Sequence, residues 1–361
     1  MIDPRRKTES RKSGDMERSL SVSIVNTREL EMLQPCLTSL FEHPYTQGPF
    51  EVIVLNNAAP SGSAKPIKEQ FQGVRVLEES LWRGFGANHN YVARMANGDL
   101  LFILNPDAVV HEGALDRLAG ALAHDPTTAV AAGPILNPDG SRWASSPFPF
   151  PSPLRSLAQA IGIHRLSGSA TGPSTQHTYT KRWVSGSAFM VDRSAFISFG
   201  GFDERFFIYA EEIDLMLRMT RSGRRIVWVP DAHVTHVGRS SATEAVNGTD
   251  SASTHLRDYE LRRINQYVRS KVAYMEKHRG RPGALAYRLA MGFNASLRLA
   301  LSSVPPLRGL LEARGRHPGV TRHHHLTRLR AAMDPRRGPF ISDLADEWNE
   351  RIANSGAGSG R

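Results

Sequence analysis

The sequence predicts an α/β fold: a mostly parallel sheet with helices on both faces, followed by a helical C-terminal region. Short apolar runs alternate with stretches of helical periodicity through the first half of the 361 residues. Each run is apolar without interruption, as in parallel strands that are buried on both faces. Strands that alternate with helices in this way form layered α/β domains.

The elements can be placed in order along the chain. Strands are predicted at 21–25, 51–55, 74–77, 100–104, 128–132 and 183–192. Helices are predicted from Leu30, Leu33, Leu37 and Leu40, over 64–72, after Arg83-Gly84-Phe85-Gly86, and over 113–123, 256–278 and 284–301. Residues 137–182 are rich in Pro, Gly and Ser and are expected to form a long loop, which in compact domains is usually functional or disordered.

Composition divides the chain into four parts. We expect a disordered lead-in over 1–18, a main domain over 19–250, a basic and mainly helical region over 251–345, and a flexible tail over 346–361. The single cysteine, Cys36, excludes an intramolecular disulfide and suits a reducing compartment. No apolar run reaches the roughly 18 residues of a membrane span, so a cytoplasmic location is expected.

The net charge of +10 is concentrated near the C-terminus. Residues 256–338 hold 18 Lys and Arg against 5 Asp and Glu, a local charge of +13 that leaves −3 for the rest. Such a patch favours attraction to an anionic surface, such as the inner face of the plasma membrane. Nucleic acid would fit the charge, but no recognition motif for it is present. His323-His324-His325 lies in this region and is interpreted as a solvated face.

Polar residues follow three of the predicted strands: Asn26-Thr27, Asn56-Asn57 and Asn105-Pro106-Asp107. In open α/β sheets, ligands bind beyond the carboxyl ends of the strands. The oxygen atoms of Asn105 and Asp107 could hold Mg²⁺ or Mn²⁺ and a sugar nucleotide. An ordinary Asn-Pro-Asp turn remains the alternative.

The turn at Arg83, Gly84 and Asn88 precedes a predicted helix. Backbone N–H groups at a helix start, together with Arg83, could bind a phosphate. The turn lacks the GK[ST] of a P-loop and the third glycine of a dinucleotide fingerprint. An ordinary helix start is equally consistent with it.

The stretch Phe199–Ser240 holds the strongest acid and histidine pattern. Glu211, Glu212 and Asp214 open a predicted helix, and His236 follows a strand-like segment. A carboxylate fixed in this way could act as a general base, but acidic residues at a helix start also simply oppose its dipole. A lone histidine is more often structural than a ligand.

Taken together and in this order, the motifs resemble the family 2 glycosyltransferases, inverting enzymes of the GT-A fold, and their bacterial rhamnosyltransferase branch. The resemblance extends from Ser19 to Ser240. It rests on SVSIVNT, EVIVLNNA, RGFGANHN, GDLLFILNPDAVV, GPILNPDG, WVSGSAFMVDRSAF, GGFDERFFIYAEEIDLMLR and WVPDAHVTHVGRS.

The resemblance implies roles for individual residues. Asp107 and His236 would be metal ligands for Mn²⁺ or Mg²⁺, and Glu212 would be the catalytic base, with Glu211 and Asp214 as supporting carboxylates. The nucleotide-sugar site would be formed by Asn26, Thr27, Asn56, Asn57, Arg83, Gly84, Asn88, Asn105, Trp183 and Gly186. Trp183–Gly186 and the loop 137–182 would also shape the acceptor side. Three positions depart from the family pattern: Glu212 replaces an aspartate, Asn56 an aspartate and Trp82 an asparagine.

The implied reaction transfers a sugar, with L-rhamnose as the candidate, from a dTDP- or UDP-linked donor. The acceptor would be a hydroxyl of a glycan or lipid-linked molecule in cell-envelope polysaccharide synthesis. The alternative is a non-catalytic family member that binds a sugar nucleotide or a partner. A nucleotidyltransferase would normally have a basic, glycine-rich loop after its first strand. The residues that follow the first predicted strand here do not form such a loop. The C-terminal helices could lie on a membrane, pack on the main domain or join a second subunit.

Overall fold

A computed structural model describes residues 17–27, 30–58, 64–142, 147–160, 178–236, 250–302, 318–336 and 338–356. Most of the expected lead-in, the middle of the loop 137–182, the end of the tail and Val237–Ser240 lie outside these residues. No helix in the described ranges is both long and apolar enough to cross a bilayer.

Eleven strands are found in the described residues, eight of them in one central sheet. The strands are β1 (Leu20–Asn26), β2 (Phe50–Asn57), β3 (Val74–Glu79), β4 (Leu100–Leu104), β5 (Ala108–Val110), β6 (Thr128–Ala132), β7 (Ile135–Leu136), β8 (Thr178–Thr180), β9 (Ala188–Asp192), β10 (Arg225–Trp228) and β11 (Val234–His236). The central sheet has the order β3-β2-β1-β4-β9-β6-β10-β8. The pairs β3-β2, β2-β1, β1-β4 and β6-β10 are parallel, whereas β9 is antiparallel to both neighbours and β8 is antiparallel to β10. The predicted mostly parallel α/β sheet is confirmed.

Ten helices are described. They are α1 (Leu30–Glu42), α2 (Lys65–Gln70), α3 (Phe85–Met95), α4 (Ala114–His124), α5 (Pro153–Ala160), α6 (Arg193–Ser198), α7 (Glu211–Arg221), α8 (Asp250–Ser302), α9 (Pro318–Met333) and α10 (Ile341–Gly356). Gly280, with φ of 68°, interrupts α8 and divides it into two helical segments. This break lies between the two C-terminal helices that the sequence predicts, and the helical C-terminal region is confirmed.

The central sheet is covered on both faces because alternate residues of each strand point to opposite sides. In β4, Leu100, Phe102 and Leu104 join the core on one face, and Leu101 and Ile103 join the core on the other. Helices α1 and α4 cover the first face, and α3 and α7 cover the second. This two-sided burial explains why the strands are continuous apolar runs.

Four sequence predictions need correction. The first is the solvated face at His323-His324-His325, because His325 is only 5% exposed. The strand expected over 183–192 is β9 alone, starting at Ala188. The expected loop 137–182 contains α5, which packs along α8 with a hydrogen bond between Ser156 and Tyr287, and the edge strand β8. The expected flexible tail is helical as far as Gly356 in α10, because Leu344, Trp348 and Ile352 recur at helical spacing.

A second, three-stranded sheet lies beside the end of β4. It has the order β5-β11-β7, and the antiparallel register of β5 and β11 places His236 opposite Ala108. The Asn105-Pro106-Asp107 turn connects β4 directly to β5. His236 is thereby brought beside this turn from more than a hundred residues further along the chain.

Candidate active site

The carboxyl ends of β1 and β2 bring two asparagines together. Asn26 and Asn56 are register partners, and the Asn26 Nδ2 donates a hydrogen bond of 3.0 Å to the Asn56 Oδ1. Both side chains are buried, whereas Thr27 is exposed at the end of β1. The asparagines therefore form a neutral polar floor where two parallel strands end.

The next strand-end residue, Asn57, holds the Arg83-Gly84 turn. The Asn57 amide accepts a hydrogen bond from the Arg83 N–H at 3.2 Å and donates to the Arg83 carbonyl at 3.3 Å. Asn88 donates to the same carbonyl at 3.0 Å. At Gly84 an added Cβ would lie 2.3 Å from the Phe207 carbonyl oxygen, so no side chain fits there.

The Arg83 side chain is already paired with a carboxylate of this protein. Its guanidinium pairs with Glu79 at 2.7 Å and remains partly exposed. The backbone here is engaged as well, because the Phe85 N–H at the start of α3 donates to the Phe207 carbonyl at 2.8 Å.

Asp107 and His236 meet at the turn between the two sheets. The Asp107 Oδ1 lies 3.2 Å from the His236 Nε2, and the Asn105 Nδ2 lies 3.0 Å from the same nitrogen. Within the described ranges, no group of three or more His, Cys, Asp or Glu side chains is placed to hold a metal ion. One oxygen and one nitrogen ligand nevertheless fit a Mn²⁺ or Mg²⁺ ion that takes its other ligands from water and a diphosphate.

A strained backbone segment places the start of α7. Tyr209 and Ala210 have φ of 70° and 79°, a region that residues with a side chain rarely adopt. Glu212 is thereby held against Gly186, where an added Cβ would lie 3.7 Å from the Glu212 Cβ. The next residue, Ser187, accepts a hydrogen bond of 2.9 Å from the Asn105 N–H. One short backbone segment, Gly186-Ser187, therefore separates Glu212 from the Asn105-Pro106-Asp107 turn.

Glu211 and Glu212 form a carboxyl pair with perturbed protonation. Burial raises the pKa of Glu211 well above its usual value, and the neighbouring Glu212 charge raises it further. Burial also raises the pKa of Glu212, while the positive charge of Lys271 opposes that shift. The Oε2 atom of each is buried and has no hydrogen-bond partner in the described part of the chain. Unsatisfied buried acceptors of this kind are costly and are typical of functional sites.

Lys271 of α8 was not found by sequence reasoning. It is 4% exposed, and its Nζ lies 5.1 Å from the Trp183 ring centroid and 5.3 Å from that of Tyr267. Its charge acts on both Glu211 and Glu212. The sequence does contain a sign of its burial. Lys271 lies between Val268 and Val272, which both face the core, and a cation is unusual on that side of an amphipathic helix.

Asp214 forms ion pairs with residues of both α7 and α8. It is fully buried and accepts from Arg218 at 2.8 Å, from His278 at 2.7 Å and from Lys277 at 2.5 Å. These partners connect α7 to α8. The Oδ2 of Asp214 is paired within α7 and its Oδ1 is paired with α8, so both oxygens are already engaged. The expected supporting role of Asp214 beside Glu212 stays a prediction.

Trp183 positions the segment that leads to Gly186. Its backbone forms a bridge with Phe148, its ring stacks on Phe148 with centroids 4.6 Å apart, and its Nε1 donates to the Pro149 carbonyl at 3.1 Å. Trp183 thus contacts both the Phe148 ring and the Lys271 ammonium, which lies 5.1 Å from its ring centroid.

Comparison with known proteins adds to this geometry. Residues 21–196 match the family model described as glycosyl transferase family 2. An N-acetylglucosaminyl-diphospho-decaprenol L-rhamnosyltransferase of Mycobacterium tuberculosis (strain ATCC 25618 / H37Rv) is 32% identical over 214 residues, which cover 53% of this chain and 67% of the relative. A rhamnosyltransferase of Escherichia coli (strain K12) is 28% identical over 202 residues, covering 52% of this chain and 72% of the relative.

The fold also has a solved counterpart. The mannosyltransferase of Pyrobaculum calidifontis, solved in complex with GDP-Man and Mn²⁺, superposes with a TM-score of 0.54. The superposition covers 90% of this chain and 89% of that one, at 16% sequence identity. At this identity the likeness concerns the fold alone, and it includes the C-terminal helical region.

Proposed function

Because this chain belongs to the family 2 glycosyltransferases, we propose that it moves a sugar from a nucleoside-diphosphate donor to an acceptor hydroxyl with inversion. One observation carries the proposal. Glu212 lies against Gly186, and the adjoining Ser187 is hydrogen-bonded to the turn that holds Asp107. This proximity supports a candidate base and a candidate diphosphate site close together at the carboxyl ends of the strands, where ligands bind in open α/β sheets.

Glu212 is the proposed general base. Its carboxylate would take the proton of the acceptor hydroxyl while that oxygen attacks the anomeric carbon from the face opposite the diphosphate. A base must be ionised and within hydrogen-bond reach of its proton. Its raised pKa strengthens it as a proton acceptor, and Lys271 keeps the ionised form accessible.

Asp107 and His236 are the proposed ligands of a divalent cation, Mn²⁺ or Mg²⁺. When bound, such a cation neutralises the charge of the leaving diphosphate as a Lewis acid. The Mn²⁺ in the Pyrobaculum mannosyltransferase supports the choice of metal. The Asn26–Asn56 pair, Asn57 and the Arg83-Gly84 turn, which Asn88 also holds, would bind the nucleoside and phosphates from the opposite side.

The donor and acceptor are proposed from the relatives. Both curated relatives named above are rhamnosyltransferases, which supports L-rhamnose on dTDP or UDP as the donor. The mycobacterial relative is named for a decaprenol diphosphate acceptor, which supports a lipid-linked acceptor in cell-envelope polysaccharide synthesis. Nucleotide sugars are cytoplasmic, so we place the reaction at the inner face of the plasma membrane. Residues 19–250 would form the catalytic domain and 251–345 its basic extension.

A non-catalytic, sugar-nucleotide-binding role is the second candidate. Two observations favour it: the base position carries a glutamate, one methylene longer than the expected aspartate, and Arg83 is already paired with Glu79. A binding protein would retain donor affinity without turnover.

The deciding experiment follows nucleoside diphosphate release from UDP-, dTDP- and GDP-sugars with Mn²⁺ or Mg²⁺ and a polyprenyl-diphosphate-linked N-acetylglucosamine acceptor. We expect transfer from one donor, inversion at the anomeric carbon by NMR, and a loss of about 10²-fold or more in kcat for Glu212→Gln. Glu69→Gln, a change at an exposed helix residue, should retain activity. Donor binding without transfer by the wild-type protein would establish the binding role instead.

A further inference from the structure

The second segment of α8 carries an exposed apolar face. Leu285 is 53% exposed, Leu289 66% and Phe293 48%. Residues four apart lie on one side of a helix, so these three side chains form one stripe. Leu297 and Leu301, which continue the same spacing in sequence, are half-buried and end the stripe.

The rest of this face is also without charge. Ala286 is exposed next to Leu285, and Ser296 and Ala300 are exposed in the turns that follow Phe293. No described residue covers them. Single exposed apolar residues are ordinary, but a continuous apolar face on a surface helix marks an interaction site. We call residues 282–300 on this side the apolar face of α8.

The sequence around the apolar face is basic. Residues 276–334 hold eleven Lys and Arg and three acidic residues, Glu276, Glu312 and Asp334, and Glu276 lies 3.7 Å from Arg281. Arg279, Arg281 and Arg330 are exposed, and Arg281 has a side chain that is 93% exposed. Arg288 donates hydrogen bonds to the carbonyls of Ala332 and Met333 at the end of α9, where the Met333 side chain is 62% exposed.

This combination selects one occupant. A second copy of the chain would bring the same cations to the interface, and like charges oppose each other there. A nucleic acid would use the cations but would leave the leucines and phenylalanine in water. An anionic bilayer satisfies both features, because its headgroup phosphates meet the cations and its acyl boundary accepts the apolar side chains.

We propose that the apolar face of α8 docks on an anionic lipid surface, with Leu285, Leu289 and Phe293 inserted below the headgroups and the flanking arginines on the phosphates. This assigns the membrane contact of the proposed function to a defined surface. The contact is interfacial, since a helix with one apolar side lies in the membrane plane.

The proposal is tested by sedimentation of the full chain with vesicles. One set is phosphatidylcholine alone, and the other contains about one-third phosphatidylglycerol, which supplies the negative surface charge. We expect binding to the anionic vesicles and at least about ten-fold weaker binding for the double variant Leu285→Glu/Leu289→Glu. Ile197→Glu is the matched control, because Ile197 is 45% exposed on α6 of the main domain.

Three results would overturn the proposal. The first is that the wild-type protein does not bind anionic vesicles, and the second is that the double variant binds them as well as the wild type does. The third is that light scattering shows a wild-type dimer and a monomeric double variant. The last would assign the face to a second copy. The same double variant is assayed for donor turnover with a detergent-solubilised acceptor. Retained turnover with lost vesicle binding supports the docking surface independently of the catalytic assignment, and circular dichroism verifies that the variant is folded.

Discussion

Asn349 of α10 forms two hydrogen bonds with the backbone of Trp82, 267 residues away in the chain: the Trp82 N–H donates to it at 2.7 Å and its amide donates to the Trp82 carbonyl at 3.1 Å. Trp348 adds a bond of 2.8 Å from its Nε1 to the Ser80 carbonyl. The last described helix therefore fixes the segment just before the Arg83-Gly84 turn.

We predict that Asn349→Ala weakens donor binding. Loss of both bonds frees the segment before the turn, so KM for the donor should rise about three- to ten-fold, corresponding to roughly 0.5–1.5 kcal/mol for a lost hydrogen bond. The value of kcat should change little, because Glu212 is positioned by other contacts. Asn354→Ala, at an exposed position of the same helix, is the control. Equal donor KM in all three proteins would contradict the prediction.

The pH dependence of transfer is expected to report the raised pKa of Glu212. The base acts as a carboxylate, so kcat/KM should fall as the pH drops through a pKa above the ordinary glutamate range. The groups that face this carboxyl are Glu211 beside it and Lys271 across from it, and Tyr209 lies next to Glu211.

Lys271 provides the sharper test of this pH dependence. Lys271→Met removes a charge that favours the ionised Glu212, so the acid limb of the profile should move to higher pH, whereas Lys271→Arg should keep it near the wild-type position. An acid limb that stays in place in Lys271→Met would show that Lys271 only packs against Trp183.

A stability prediction follows from the same carboxyl pair. A buried acid with a raised pKa binds its proton more tightly in the folded state, so its contribution to stability is lost as the pH rises through that pKa. Glu211→Gln should therefore raise the free energy of unfolding near neutral pH. Urea denaturation at two pH values would measure it, and the gain should shrink at acidic pH, where Glu211 is protonated.

Substitution of Asp214 should lower the free energy of unfolding, whereas substitution of Glu211 should raise it. Asp214 accepts from Arg218, Lys277 and His278 inside the protein, and removing one partner of a buried ion pair leaves uncompensated charge. We expect Asp214→Asn to lower the free energy of unfolding by about 3 kcal/mol. Glu69→Gln breaks only an exposed pair with Lys65 and should change it by less than about 1 kcal/mol. A loss for Asp214→Asn no larger than this control would contradict the burial argument.

The sheet could be predicted from sequence because its strands are uninterrupted apolar runs, and this pattern depends on local composition alone. The strand-end asparagines were placed correctly for the same reason. His236 beside Asp107 followed only from the family resemblance, since that contact requires the antiparallel pairing of β5 and β11.

Contacts with the C-terminal helices explain most of what the sequence did not predict. Lys271 lies on α8, as do two of the three partners of Asp214, Lys277 and His278. Which helix faces which is decided by tertiary packing rather than by helical spacing. The tail prediction over 346–361 was drawn from the Gly and Ser residues at the very end. The four-residue spacing of Leu344, Trp348 and Ile352 was the overlooked signal.

The break in α8 at Gly280 has a consequence for acceptor length. Lys271 beside the carboxyl pair and Leu289 on the proposed lipid-facing side are 18 residues apart, so an unbroken helix would separate them by about 27 Å. The change of direction at Gly280 shortens this distance. If the second segment of α8 lies on the bilayer, as we propose, the carboxyl pair beside Lys271 has a fixed height above the lipid. Acceptors would then be selected by how far their hydroxyl stands from the membrane, and a longer glycan on the same lipid would place its terminal sugar beyond the base.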